Sequence, residues 1–437
     1  MFEAQQQHPF YHPASRMYRF TILMFVSLLS YGTYFVYDGL SAIAPILIDA
    51  FQISRAAFGA TKTIYSISAI LCLFPGGILI DRIGTRKASL LFSSFIVLGT
   101  LIIALSPNIR VLYVGMFFLG AGSETLIIAQ DSIIARWFKG KELAMAFGIV
   151  LTVSRLGSLF SYNTEALIVD FFGHYSYALW AGLIFCVLSL LSNVVYVFLD
   201  KRGEHVLELK EEEVEEKIIF SDIAKFNPSF WYVTLLCLLF YGAIFPFQHL
   251  ASDFFHEKWG IPLEAGGEGG FLYQVFTNII HMFSTAPGLA GLIVFASMVF
   301  APFAGKLVDK VGRRTSLMIV GSLLMIPAHV LMGITYIHPV ICMIVLGAAF
   351  VLVPAALWPS IPLIVSKQRV GTAFGLMTMI QNIGLGLFPW VNGRLRDMTS
   401  SYTASQIMFA SLGLLGLVFS FLLKRADTKA GGVLEKP

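Results

Sequence analysis

The run Gly77-Ile78-Leu79-Ile80-Asp81-Arg82-Ile83-Gly84-Thr85-Arg86-Lys87 returns 228 residues later as Gly305-Lys306-Leu307-Val308-Asp309-Lys310-Val311-Gly312-Arg313-Arg314. Each copy is a short charged turn between two long apolar segments. One G-x-x-x-D-x-x-G says little, because glycine and aspartate mark many turns. Two copies half a chain apart, in matched apolar surroundings, point to a chain built as two parallel halves.

The surroundings decide the solvent. The 437 residues are 57% hydrophobic and 13% charged, with mean hydropathy +0.77. Soluble domains carry about 25% charge, so this chain belongs in lipid. Helices crossing a hydrocarbon core need about 20 apolar residues. About twelve such runs are read, near 19–46, 57–80, 87–106, 110–136, 141–165, 174–199, 228–252, 286–310, 314–336, 338–366, 371–393 and 404–424. The alternating ten-residue segments of a membrane β-barrel are absent. The expected fold is an all-α polytopic membrane protein of two pseudo-symmetric six-helix bundles. The expected organisation is a tail (1–18), a first bundle (19–200), a cytoplasmic linker (201–227), a second bundle (228–424) with an extended outer loop near 253–285, and a tail (425–437).

The first run is too long for a signal peptide and holds Tyr31, Tyr34, Tyr37 and Asp38, so it reads as a retained helix. Cys72, Cys186, Cys237 and Cys342 fall inside separate spans and read as packing residues; no metal site and no cofactor is expected. With the N-terminus inside, 23 of the 30 Lys and Arg fall on inner segments and six, including Arg55 and Lys62, on outer ones. That bias predicts both termini in the cytoplasm. The net charge of +4 is then an inner-membrane-face charge that calls for no nucleic-acid partner.

Two stretches interrupt the spans. Glu208–Lys217 reads as a solvated tether between the halves. Asp253–Thr285 passes through Ala265-Gly266-Gly267-Glu268-Gly269-Gly270 to a semi-apolar piece, Phe271–Phe283, too short to span; it is read as a structural loop, an interfacial piece or an extension of helix eight, with a lid as the sharper alternative.

Ionisable residues at membrane depth are costly and mark function by default. Glu124 in the fourth span and Arg155 in the fifth both fall near mid-membrane. The short turn Phe138-Lys139-Gly140 makes their helices neighbours. The bland reading is a buried salt bridge that fixes packing. The functional one is a split site for a zwitterion, Arg155 holding a carboxylate and Glu124 an ammonium, the two pairing with each other when no ligand is bound. Tyr31, Tyr34, Asp38 and Ser41 share one face of the first span, as cavity lining or as interface and packing residues. Tyr241, Phe245, Gln248, Trp358, Gln381 and Asn382 lie at plausible depth in the second half, each more often packing than site. Pro354, Pro359 and Pro362 are expected to kink span ten. In the repeated loop, Gly77, Asp81, Arg82, Gly84, Gly305, Asp309, Gly312 and Arg313 are read as gating and scaffold residues. Asp81 and Asp309 are expected to cap helix N-termini and latch the inner ends.

The doubled G-x-x-x-D-[RK]-x-G-x-[RK] with about twelve spans resembles the major facilitator superfamily over nearly the whole chain. A closer likeness rests on Tyr37-Asp38, Gly122-Ser123-Glu124, Ala129-Gln130, Trp137-Phe138-Lys139-Gly140-Lys141-Glu142-Leu143, Ser154-Arg155-Leu156-Gly157-Ser158, Leu357-Trp358-Pro359, Gly371-Thr372-Ala373 and Gln381-Asn382-Ile383-Gly384. These look like the major facilitator superfamily domain-containing protein one branch, whose animal members are lysosomal dipeptide transporters. The resemblance implies that Glu124 and Arg155 bind dipeptide termini. The arginine that many superfamily members carry at the start of span four is replaced by Gly115, and the E-x-x-E-R signature of proton-coupled oligopeptide symporters is missing from span one, which leaves a uniporter.

The leading expectation is a secondary transporter of dipeptides or similar zwitterions working by alternating access, a monomer in the lipid bilayer and not an enzyme. An organic-anion carrier and a proton-coupled symporter are the alternatives. With no N-x-[ST] sequon that has a permitted middle residue and no acidic dileucine signal in its N-terminal tail, the chain reads as a prokaryotic cytoplasmic-membrane protein rather than a lysosomal one.

Overall fold

The computed structural model describes residues 12–13, 15–138, 142–207, 226–266, 269–366 and 369–436. The chain order is α1 (Arg16–Ser27), α2 (Tyr31–Ala42), α3 (Ala44–Phe51), α4 (Arg55–Ala104), α5 (Ile109–Phe138), α6 (Leu143–Phe172), α7 (Ser176–Leu207), α8 (Pro228–Trp259), α9 (Phe271–Ile280), α10 (Ala286–Val311), α11 (Arg314–Ile334), α12 (Pro339–Ile364), α13 (Val370–Thr399) and α14 (Thr403–Lys429). No strand occurs among the described residues.

These helices make twelve passes. At about 1.5 Å per residue, the 50-residue α4 is some 75 Å long, twice what a bilayer needs. It turns back at Gly84, whose φ of 78° and ψ of 159° break the helix. The first pass is α1 plus α2, and α5, α6, α7, α8, α10, α11, α12, α13 and α14 supply one each. Large apolar residues such as Leu71, Ile184, Phe198, Phe303 and Ile341 are exposed on the outside, as a lipid-facing surface requires. An even number of passes puts both chain ends at one end of the bundle, here the tail side; the other is the far side.

Local chemistry sets the helix starts. Ser54, Asn227 and Thr285 accept from the backbone N–H of Ala57, Phe230 and Gly288 at 3.1, 2.9 and 3.2 Å, capping α4, α8 and α10. The first span is interrupted after Ser27, contrary to the single helix expected. Gln130 of α5 reaches in and donates to the Val26 carbonyl at 2.7 Å, and that oxygen's backbone bond is the tighter one from the Leu29 N–H at 3.1 Å. α12 remains one helix through Pro354, Pro359 and Pro362.

The repeated loop keeps its backbone device in both copies. Gly84 and Gly312, again 228 residues apart, both take positive φ, at 78° and 64°, where a side chain would strain the turn. The expected capping by Asp81 does not occur: Asp81 and Arg82 are exposed in the last turn before the break. The carboxylate that ties the first half on the tail side is Asp200. It is fully buried, pairs with Arg86 at 3.0 Å and with Arg136, and accepts from the Trp137 indole at 2.5 Å. The side chain of Asp309 and the tether Glu208–Lys217 lie outside the described residues. α7 runs helical to Leu207, so the polar interruption begins as helix. The final tail is packed rather than free. Leu434 is buried, and Glu435 accepts from the Ser316 N–H at 3.0 Å and the Ser316 hydroxyl at 2.9 Å, closing the start of α11.

Candidate functional site

The halves are joined on the far side. Arg55, in the first turn of α4, donates from Nε to Asp253 of α8 at 2.8 Å and also reaches Glu257 at 3.4 Å. The backbone N–H groups of Arg55 and Ala56 donate to Asp397 of α13 at 3.0 and 2.8 Å, so an acid from the second half caps a helix of the first. Arg396 binds Glu257, and the Tyr402 hydroxyl binds Asp253. Deeper, Thr63 donates to the Gly386 carbonyl at 2.6 Å. His249 of α8 meets Ser41 at 2.8 Å and Thr61 at 3.2 Å, stacked on Phe58. Among the described residues, the polar contacts crossing between halves all lie in this far portion. The bundle is closed on the far side, and among the described residues no polar contact joins the halves on the tail side.

Arg155 stands at the seam where closure ends. Its guanidinium carbon is 5.7 Å from the ring centre of Tyr34 on α2, 5.9 Å from that of Phe245 on α8 and 5.4 Å from that of Phe350 on α12. One cation thus touches aromatic faces of both halves. Among the described residues no carboxylate lies within ion-pair distance of it. Glu124, half-buried on α5, accepts from the Tyr65 hydroxyl at 3.4 Å, and Tyr65 meets Tyr37 edge-on at 4.8 Å. The expected Glu124–Arg155 pair is therefore not formed. Aromatic faces hold the arginine and a tyrosine hydroxyl holds the glutamate. Tyr34 is within electrostatic reach of Arg155, Glu124, Asp38 and Asp131. Asp131 lies two turns from Glu124 toward the tail side and is exposed despite its position inside a spanning helix.

The other expected residues divide. Trp358 and Tyr241 come together, the indole donating to the phenol oxygen at 2.9 Å, and with Phe245 and Phe350 they form an aromatic wall opposite Arg155. Tyr31 turns away and packs on Phe185 of α7. Gln248 donates to the Ala290 carbonyl, a link from α8 to α10. Asn382 bonds back to Thr378 of its own helix, and Gln381 is half-buried. Asp38 is buried, within electrostatic reach of Lys62 and Arg155.

Lys62 corrects the sequence reading, which placed it among outer cations. It is 2% exposed, donates to the Tyr37 carbonyl at 2.5 Å and lies over the Tyr37 ring. The available signal was its spacing: two helical turns after Arg55, some 10 Å deeper. His249 was missed because it follows a glutamine inside an apolar run.

The Major Facilitator Superfamily sequence model matches residues 22–284 and 269–436. The chain belongs to the major facilitator superfamily. Within it, the chain is 30% identical to the lysosomal dipeptide transporter MFSD1 of Danio rerio over 444 residues, 98% of this chain and 91% of the relative. It is 30% identical to the lysosomal dipeptide transporter MFSD1 of Homo sapiens over 432 residues, 95% and 88% of the two chains. A solved structure with the same fold is a bacterial homologue of the human lysosomal transporter Spinster, inward-facing and occupied. Its TM-score is 0.74 at 17% identity, covering 95% of this chain and 99% of that one. As a member of this superfamily the chain is a multi-pass integral membrane transporter and not an enzyme.

Proposed function

We propose that this transporter carries dipeptides, or small zwitterions of similar build, by alternating access. The observation that carries the reading is that Arg155 and Glu124, both within electrostatic reach of Tyr34, form no ion pair with each other. A guanidinium and a carboxylate kept apart, each with donors or acceptors to spare, suit a ligand bearing both charges. Arg155 takes the carboxylate through its planar fork, and Glu124 takes the ammonium. The aromatic wall of Tyr241, Phe245, Phe350 and Trp358 then faces the side chains of the cargo. Full-length similarity to proteins named as dipeptide transporters supports the same substrate class.

The tail side is taken as the cytoplasm, on the Lys and Arg bias, which makes this conformation inward-open, and the host membrane as the cytoplasmic membrane. Transport is read as uniport, with substrate charge compensated by the fixed pair. In proteoliposomes, counterflow of labelled dipeptide is expected to fall at least tenfold in Glu124→Gln and in Arg155→Ala. Dipeptides with a blocked amino terminus are expected to compete poorly. Undiminished counterflow in both variants, or equal competition by blocked peptides, would reject the zwitterion site. If blocked peptides and simple organic anions compete equally well and only Arg155→Ala fails, the carrier is an anion transporter instead.

A further inference from the structure

α9 is built inside out. Leu272, Tyr273, Phe276 and Ile280 are 81, 60, 63 and 56% exposed, while Asn278 on the opposite face is buried. A helix in an aqueous loop turns its apolar face inward, because exposed apolar area costs roughly 25 cal/mol per Å². Here the polar face is the docked one. Asn278 Nδ2 donates to the Asn163 carbonyl at 2.6 Å, and its Oδ1 accepts from the Ala265 N–H at 2.7 Å. The Phe271 ring meets those of Phe171 and Phe172 at 5.3 and 5.7 Å.

Those anchors fix the direction of the helix. Phe171 and Phe172 end α6, and Asn163 lies eight or nine residues earlier, about 13 Å deeper along its axis. α9 therefore runs back beside the last turns of α6, antiparallel to it, at the depth of spanning residues. Gly291 of α10 packs on Tyr162 of α6, so α9 lies along the seam between the halves.

We propose that α9 is a membrane-embedded strap, its apolar face seated on the acyl chains of the far-side leaflet and its polar face holding the second half to α6. The occupant follows from continuity. Exposed Phe171 and Phe172 border the helix, the exposed Tyr177 ring lies against Phe172, and these rings belong to the lipid-facing surface. The segment Phe271–Ile280 has no charged residue with which a soluble partner would pair, and as a helix it satisfies its own backbone, the condition for entering hydrocarbon. Far-side opening, which the alternating-access reading requires, separates α6 from α10 and so releases Asn278 from Asn163.

The test uses the full chain with Cys72→Ser, since Cys72 is the one native cysteine that is not buried. The Phe276→Cys variant carries an environment-sensitive fluorophore on that thiol, in liposomes of phosphatidylcholine with no other protein. Quenching by nitroxide-bearing lipid is expected to exceed quenching by iodide several-fold. Equal or greater quenching by iodide overturns the lipid seat and marks the face as one kept for a soluble partner. For the strap, the Phe171→Cys and Phe271→Cys thiols are joined by a short reducible cross-linker. A Thr63→Cys reporter is then labelled by an impermeant maleimide from the far side. Labelling is expected to slow at least tenfold on cross-linking and to recover on reduction; an unchanged rate overturns the strap. Neither readout needs a substrate, so a failure of the dipeptide reading leaves both outcomes interpretable.

Discussion

The Arg155 guanidinium on α6 sits 5.4 Å from the Phe350 ring of α12, so a cation of the first half rests on an aromatic face of the second. A ligand drawn to that cation is placed at once in contact with both halves. That is the condition under which binding can bias the choice between two global states.

Arg155→Lys is expected to separate stacking from charge. A cation–π contact contributes roughly 0.5–1 kcal/mol, and about 2 when desolvated. An ammonium has no planar face to set against a ring and cannot form a bidentate pair. Loss of about 2 kcal/mol is roughly a thirtyfold weaker apparent affinity, since 1.4 kcal/mol is tenfold. Dipeptide binding measured by thermal shift or flux should show it; wild-type affinity in the lysine variant would remove the planar head from the mechanism.

Lys62 and Asp38 are expected to behave as one unit. Removing one member of a buried charged set leaves the other uncompensated, a cost of about 3–5 kcal/mol, whereas removing both is nearly neutral. Lys62→Met and Asp38→Asn should each lower the unfolding temperature in detergent, and the double variant should recover most of the loss. Simple additivity of the two losses would show that the groups do not couple.

Two glycines should respond oppositely to alanine. A Cβ on Gly59 would come within 2.2 Å of the Pro389 carbonyl oxygen, forcing α4 from α13 on the closed far side. A Cβ on Gly77 meets nothing within 4 Å. Gly59→Ala is therefore expected to raise far-side labelling of Thr63→Cys several-fold. Gly77→Ala should leave labelling unchanged and stabilise by up to about 1 kcal/mol through helix propensity. Identical labelling in both variants would contradict the backbone crossing as the limit on far-side closure.

Acid should release the C-terminal tail. Burial alone would raise the Glu435 carboxyl, but hydrogen bonds from Thr315 and Ser316, with Lys424 nearby, hold it below its ordinary 4.5. A carboxyl depressed in the folded state contributes stability that is present above about pH 4.5 and is lost as pH falls through the folded value. Proteolytic clipping after Lys429 should thus be slow at pH 6, faster below pH 4.5, and fast at both in Glu435→Gln. A clipping rate independent of pH in the wild-type chain would refute the clasp.

Much of the scaffold was legible because it is written in patterns that do not depend on distant contacts. The apolar runs set the number of passes, and the repeat at 228 residues located Gly84 and Gly312, which share a backbone conformation. Glu124 and Arg155 stood out because a charge in hydrocarbon is rare. Lys62 was missed for the opposite reason. Beside Arg55 it looks like one more loop cation, and only the depth of α4 within the bundle shows it buried. Asp81 was over-read, since its motif marks the turn while Asp200, far along the chain, supplies the carboxylate.

The amino-acid sequence by itself determined a lipid-embedded bundle of two six-helix halves and the two charges at its middle, because hydropathy and periodicity act locally along a chain. The tertiary structure alone decided that those charges stay apart, that the far side is shut by Arg55 on Asp253 and Asp397, and that α9 turns its apolar face outward. Each of these depends on which helix faces which. That choice is fixed by packing between residues as much as 342 positions apart, as Arg55 and Asp397 are, where no local pattern reaches.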